Sequence, residues 1–252
     1  MTEYNKALKH LIENGYEFKL SQYINDGFEI FKRNIGGFVG YYAIIIFIIV
    51  FLMLLSLFQY GIANLLQPVL VAGLYIVANE IIQGRRTEFR TFFKGFDFFI
   101  QLALLGIVTS LIYTACSYFA NLPTLISLGL FSSLKPLSFI FMGVGYCALI
   151  YFSISYSFAN MLIIFLNFQF WPAMEASRKI ITKNFWSFLI FFLVIALINV
   201  LGAITFIGIF FTAPATMCMI FCAFEDIVGG AIRKYQDSTN DNPDKTTYTY
   251  NI

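Results

Sequence analysis

Four long stretches of this chain, residues 36–79, 98–134, 136–174 and 184–224, contain no charged side chain and are apolar almost throughout. A helix needs ~20 apolar residues to cross the ~30 Å hydrocarbon core of a bilayer. Each stretch therefore accommodates at least one crossing, and most have room for two. Composition agrees: 59% of the 252 residues are hydrophobic and 12% charged, against ~45–50% and ~25% in soluble domains. With a mean hydropathy of +0.77, the chain reads as a polytopic membrane protein. A net charge of +2 offers no basic face for nucleic acid, so no nucleic-acid partner is expected.

Turn signals divide the stretches into six expected spans at 37–59, 62–83, 97–119, 139–165, 185–204 and 206–227. Gln59-Tyr60-Gly61 with Asn64 separates the first pair, and Gly202, Thr205 and Gly208 separate the last. Residues 1–20 hold no apolar core followed by a cleavage site, so they read as a cytoplasmic segment, with the first span serving as insertion signal. Residues 21–230 form the membrane domain, and the polar stretch 231–252, broken by Pro243, is expected to be a disordered cytoplasmic tail. The link between the third and fourth spans is itself apolar and is expected along the outer interface. Of the 16 Lys and Arg residues, 15 fall on one face of this topology and only Lys135 on the other. The positive-inside rule then places both termini in the cytoplasm.

Three amphipathic stretches lead into spans on the basic face, near 21–35, 87–96 and 172–184. Apolar residues recur in them at helical spacing: Ile24, Phe28, Phe31 and Ile35; Phe89, Phe92, Phe93 and Phe96; and Met174, Ser177, Ile180 and Ile181. The opposite faces carry Asp26, Glu29, Lys32 and Arg33; Glu88 and Lys94; and Glu175, Arg178 and Lys179. Helices of this kind lie in the interface plane, apolar side down. Trp171 and Trp186 flank the third, at the depth Trp prefers. Lys32-Arg33-Asn34 running to Phe38 looks like Thr182-Lys183-Asn184 running to Phe188. Either the chain is three copies of one unit, or each entry loop acquired basic and aromatic residues independently. The expected fold is all-α: an integral membrane six-helix bundle with three cytoplasmic amphipathic interfacial helices.

Two groups of polar residues are candidates for a site. In the fourth span Tyr146, Ser153, Ser157 and Asn160 fall on one face of a continuous helix, and Asn199 of the fifth span can face them. They read either as a polar groove for a solute or lipid headgroup, or as interhelical hydrogen bonds, the commoner use. Glu80, Asp97, Glu225 and Asp226 sit near the cytoplasmic ends of their spans. They read either as a proton relay or, with more weight, as ion-pair partners of Arg85, Arg86, Arg178 and Lys179 that pin the interfacial helices. Gly36 with Gly40 and Gly106 with Ser110 are small-residue pairs suited to close helix packing, with this chain or a second copy.

Cys116, Cys147, Cys218 and Cys222 all lie in apolar stretches and read as buried thiols. With His10 as the one histidine, no metal ligand set is evident, and no nucleophile elbow, phosphate loop or metalloprotease motif occurs. No catalytic residue, metal or cofactor is assigned, and no enzyme is expected. The run Gly27 to Asn34, Pro68 through Gly73-Leu74-Tyr75, Gln83-Gly84 followed by Phe89 and Phe92-Phe93, and Ala173 to Ser177 running into Asn184-Phe185-Trp186 resemble the YciC-like group of bacterial membrane proteins and the membrane domain attached to some glycerophosphodiester phosphodiesterases. The resemblance covers roughly residues 20–230. It implies six helices, an amphipathic cytoplasmic rim and a bacterial inner membrane, and no settled activity. The phosphodiesterase barrel has no counterpart in the chain. The expected function is non-catalytic: organising membrane lipid, or docking a partner membrane protein or a second copy, through the rim. The alternative is a transporter or lipid-handling protein using the fourth-span groove. The absence of a mid-membrane charge and of a Pro- or Gly-broken helix pair favours the first.

Overall fold

The computed structural model describes residues 3–55, 61–127 and 135–239. The chain is all-α, and six helices are long and apolar enough to cross a membrane: Ile35–Leu54, Ile62–Ile82, Phe89–Leu122, Phe139–Leu166, Phe185–Ile204 and Ile209–Gln236. In chain order the elements are α1 (Glu3–Asn14), α2 (Leu20–Arg33), α3 (Ile35–Leu54), α4 (Ile62–Ile82), a 3-10 segment (Phe89–Phe98) and α5 (Phe99–Ser127). They continue with α6 (Lys135–Ser155), α7 (Ala159–Leu166), α8 (Phe170–Lys183), α9 (Phe185–Ile204), α10 (Ile209–Phe224), a π-helical turn (Glu225–Gly229) and α11 (Gly230–Thr239).

The buried centre is made by α4, α7 and α10. In the apolar windows of the second and sixth spans 67% and 72% of residues are buried, against 17% and 22% in the first and fifth. All eight residues of α7 are buried. The peripheral spans are nevertheless the most hydrophobic, with hydropathies of 2.6 and 2.7 against 1.7 and 1.6 for the inner pair. Lipid tails reward apolar bulk on the outside, while helices inside a membrane associate through small and polar residues. The inner helices accordingly carry Ala72, Gly73, Ala78 and Asn79, or Ala213, Ala215, Thr216 and Ala223, at buried positions.

Each amphipathic segment packs on the inner helix of the unit before it: the 3-10 segment on α4, α8 on α7, and α2 on α10. The last contact joins the first rim segment to the last span and closes the three units into a ring. Small residues permit every crossing. A Cβ on Gly27 would collide with the Met219 backbone, one on Gly73 with the Phe92 carbonyl, and one on Gly95 with the Val69 carbonyl. Ser177 of α8 sits against Ser155 and Phe158. Three hydrogen bonds follow the same cyclic order, tying the start of an outer span to the linker or first residue leading into the next rim segment. Asn34 Nδ2 donates to Thr87 Oγ1 at 3.0 Å, the Phe170 N–H donates to Gln101 Oε1 at 3.0 Å, and Asn184 Nδ2 donates to the Tyr16 carbonyl at 2.8 Å.

The first and third units share one register. Tyr23, Gly27, Ile30, Phe31, Phe38, Tyr41, Ile45 and Leu52 are buried, and so are the residues 150 positions later, Ala173, Ser177, Ile180, Ile181, Phe188, Phe191, Ile195 and Gly202. Asn34 and Asn184 occupy the same junction between rim helix and span, with φ of −146° and −127°.

The middle unit departs from this template. Residues expected as a separate α-helix at 87–96 form a 3-10 helix that runs without interruption into α5. In a 3-10 helix positions three apart eclipse one another, so Phe89 and Phe92 fall on one row and Phe93 and Phe96 on another, and the four do not share a face. Phe92 alone is buried, its ring stacked on Tyr41 at 4.7 Å, while Phe89, Phe93 and Phe96 stay outside. α5 reaches Ser127, beyond the expected end, and pairs with α6 through Gly145, which sits against Ala120. The rest of the expected interfacial link, residues 128–134, lies outside the described residues. Gly106 packs on the Asn64 carbonyl, but Gly36 faces open space. Cys218 and Cys222 are buried, whereas Cys147 is exposed on the bundle surface. The tail expected to be disordered from residue 231 is helical to Thr239, because α11 continues the sixth span and packs beside α1. Residues 240–252 lie outside the described residues.

Gly73→Ala should lower stability in detergent by ~1–3 kcal/mol through overpacking, while Gly36→Ala should be neutral or slightly stabilising. Melting curves in one detergent compare them, and equal stability would show that the 3-10 segment does not rest on α4.

Candidate functional site

The fourth span is interrupted. α6 ends at Ser155 and α7 starts at Ala159, with a turn at residues 156–158 between them and no proline or glycine in it. The interruption frees backbone groups, and α8 supplies their partner. Ser177 Oγ donates to the Ser155 carbonyl at 2.7 Å and accepts from the Phe158 N–H at 3.2 Å. The Phe158 ring packs edge-on against Phe188 and Phe224, at 5.4 and 5.5 Å. A break in a span is tolerated only where its polar groups are satisfied inside the protein, and one buried hydroxyl on the rim helix meets that requirement.

The break redistributes the residues expected to line one groove. Tyr146 and Ser153 lie on α6 with exposed side chains, Ser157 lies in the turn, and Asn160 is buried beyond it. Asn160 Nδ2 donates to the Pro68 carbonyl of α4 at 3.0 Å. Asn199 Nδ2 donates to Thr216 Oγ1 at 3.1 Å and to the Ile195 carbonyl at 3.0 Å. Asn160 and Asn199 therefore bind neighbouring inner helices, while the oxygens Ser157 Oγ and Asn160 Oδ1 find no hydrogen-bond partner among the described residues. A break without proline or glycine has no composition signal, which is why the sequence reading carried one helical face through it.

The charged residues gather at the ends of the inner spans. Glu80 pairs with Arg85 at 2.7 Å, and Glu225 pairs with Arg233. The two carboxylates occupy matching places, in Ala78-Asn79-Glu80 and Ala223-Phe224-Glu225, and each is held by an arginine further along its own segment. Asp226 accepts from Tyr23 Oη at 2.8 Å and from Lys19 Nζ at 3.3 Å, which clamps the N-terminal segment to the sixth span. Lys179 pairs with Glu175 at 2.7 Å and Lys32 with Glu29 at 2.9 Å. Those lysines hold Glu175 and Glu29 below the usual carboxylate range, by hydrogen bond first and charge second. Burial pushes the Tyr23 phenol up, and the adjacent Asp226 adds to the effect. Asp97 lies in a cleft with Arg90 and Lys94 of its own segment, Arg86 lies exposed in the linker, and Arg178 lines a cavity beside the broken span.

Arg233, Lys19, Tyr23 and Tyr16 escaped the sequence reading. Glu225 and Arg233 are eight apart, whereas two α-helical turns take ~7 residues. The π-helical turn at Glu225–Gly229 inserts the extra residue and brings the pair into line. Among the described residues, no group of three or more His, Cys, Asp or Glu could hold a metal ion. No protein-family model, no curated protein and no solved structure matches this chain.

Glu80→Gln and Glu225→Gln should each lower stability in detergent by ~1 kcal/mol, at the upper end for a solvent-screened ion pair, because both arginine partners are about two-fifths exposed. Asp226→Asn should in addition speed amide exchange across α1 and α2. Unaltered melting together with loss of a proton-coupled flux would identify these carboxylates as a relay instead.

Proposed function

We propose that this chain is a non-catalytic inner-membrane protein, with both termini cytoplasmic, that organises lipid through its amphipathic rim. The carrying observation is how the rim segments are seated. Their small residues, Gly27, Gly95 and Ser177, lock against the inner helices, which leaves the basic and aromatic side chains on the outside. Arg33, Arg90 and Arg178 are exposed there, with Phe28, Phe89, Phe93 and Phe96 beside them. Trp171 and Trp186 are 61% and 75% exposed. Aromatic rings of this kind favour the headgroup level, and each basic residue near an anionic leaflet adds ~1 kcal/mol of attraction. The space between the inner helices is filled by rings, with Phe165 against Phe221 and Phe158 against Phe224, which supports a solid scaffold.

A second reading, transport or lipid handling along the fourth span, is favoured by the break at residues 156–158. Interrupted spans line substrate paths in many transporters. Docking of a partner membrane protein, or of a second copy, on the same rim is a further form of the first reading.

A reporter fused after Ile252 should be active only in the cytoplasm, and a cysteine placed near Lys135 should label only from outside. Spin labels replacing Phe96 and Lys94, which lie on different rows of the 3-10 helix, should report different depths, with position 96 in the lipid. Equal water exposure at both would make the segment a soluble docking arm and remove the lipid-organising function.

A further inference from the structure

We infer that the cavity between α8, α5 and the break in the fourth span holds the headgroup of one anionic glycerophospholipid of the phosphatidylglycerol class, with Arg178 as its phosphate ligand. The inference rests on the reading of the rim as lipid-facing and names the site where one lipid is held specifically. The cavity measures about 320 Å³ and is lined by Ile112, Tyr156, Trp171, Met174, Glu175 and Arg178. That volume lies at the small end of ligand pockets, ~300–1,000 Å³, and suits a headgroup better than a whole lipid.

The donors fit a phosphodiester. A guanidinium, a phenol and an indole line one space, and a guanidinium fork matches phosphate oxygens in two parallel hydrogen bonds. Arg178 lines the same cavity as Tyr156, and its charge acts on both Tyr151 and Tyr156, which sets the guanidinium beside the fourth span. Glu175 shares the cavity, but Lys179 grips it at 2.7 Å. The three charges on this turn therefore sum to a single positive charge, the complement of a lipid with one net negative charge. Ile112 and Met174 supply an apolar wall for the first acyl methylenes. The break makes the site possible, because it places Tyr156 in a turn beside α8 instead of within a continuous helix.

Native mass spectrometry of the protein released from vesicles containing phosphatidylglycerol and phosphatidylethanolamine tests this. The wild-type protein should retain one phosphatidylglycerol. Arg178→Gln should bind it at least ~10-fold more weakly, the loss expected for a charge-assisted hydrogen bond. Arg178→Lys, which keeps the charge and loses the fork, should fall between the two at an unchanged melting temperature. Arg90→Gln, on a different rim segment, should retain the lipid. Retention by Arg178→Gln, or equal retention of phosphatidylethanolamine by the wild type, would overturn the site. Equal protection against melting by inorganic phosphate would overturn the lipid in favour of the free anion. Spin labels at positions 96 and 186 keep the two claims apart. Lipid-deep labels with an unaffected Arg178→Gln would sink this site alone, whereas water-exposed labels would sink the rim reading itself.

Discussion

A peptide group buried in hydrocarbon has no water to fall back on, so each N–H and C=O must find a partner within the protein. Here that constraint is met at one point by a single side chain. Ser177 bonds both the Ser155 carbonyl and the Phe158 N–H across the gap in the fourth span. The gap therefore requires α8 to lie against it, and α8 reaches it because a serine at that crossing admits close approach. The equivalent position of the first unit is Gly27, whose missing side chain makes room for the Met219 backbone. One device, a small residue where a rim segment crosses an inner helix, thus governs both where the rim sits and which backbone irregularities the core tolerates.

The distribution of hydrophobicity follows from the same solvent. In water the most apolar helix would be central. In lipid, tails solvate Leu and Ile as well as a protein interior does, so apolar bulk gives no reason to go inside. The peripheral spans hold Phe47, Leu193, Leu197 and Ile204 on the outside, and the inner helices spend their positions on Ala, Gly, Asn and Thr. The rim segments turn an apolar face inward, with Ile30, Phe31, Phe92, Ile180 and Ile181 buried around the small residues of each crossing, and leave Arg33, Arg90 and Arg178 exposed.

Much of this was legible in the sequence. Runs of apolar residues without charge marked the six membrane-length helices, and helical spacing marked the rim segments. Glu80 and Arg85, both expected as ion-pair partners, do pair, whereas Lys179, expected to reach the span-end carboxylates, binds Glu175 one turn away on its own helix. The remainder depended on geometry that no periodicity records. The row of four phenylalanines reads as an α-helical face, yet close contact of Gly73 and Gly95 with neighbouring backbone accompanies a tighter helix in which Phe92 turns inward alone. The partner of Glu225 was hidden because the π-helical turn shifts the count by one residue. The clamp of Lys19 and Tyr23 on Asp226 spans most of the chain, and local pattern carries no information about such a pair. The break in the fourth span lacks the proline or glycine that would have signalled it, since its cause sits on α8.

The three units are not equally regular, and the middle one departs furthest. The first and third share the buried register of rim helix and outer span across 150 residues, with Met174 the one additional buried position. The middle one replaces a rim α-helix with a 3-10 segment, lengthens its first span to Ser127 and breaks its second before Ala159. Where a framework is repeated, the shared features are those that packing demands of every copy, and the departures are what packing alone does not explain. Local rules tend to be broken at functional sites, where some other requirement compensates. The break and the α5 surface meet the arginine of α8 around a single cavity, the point where the ring is least like itself. If the repeated units supply the scaffold, that unrepeated corner is where this protein would do something its scaffold does not.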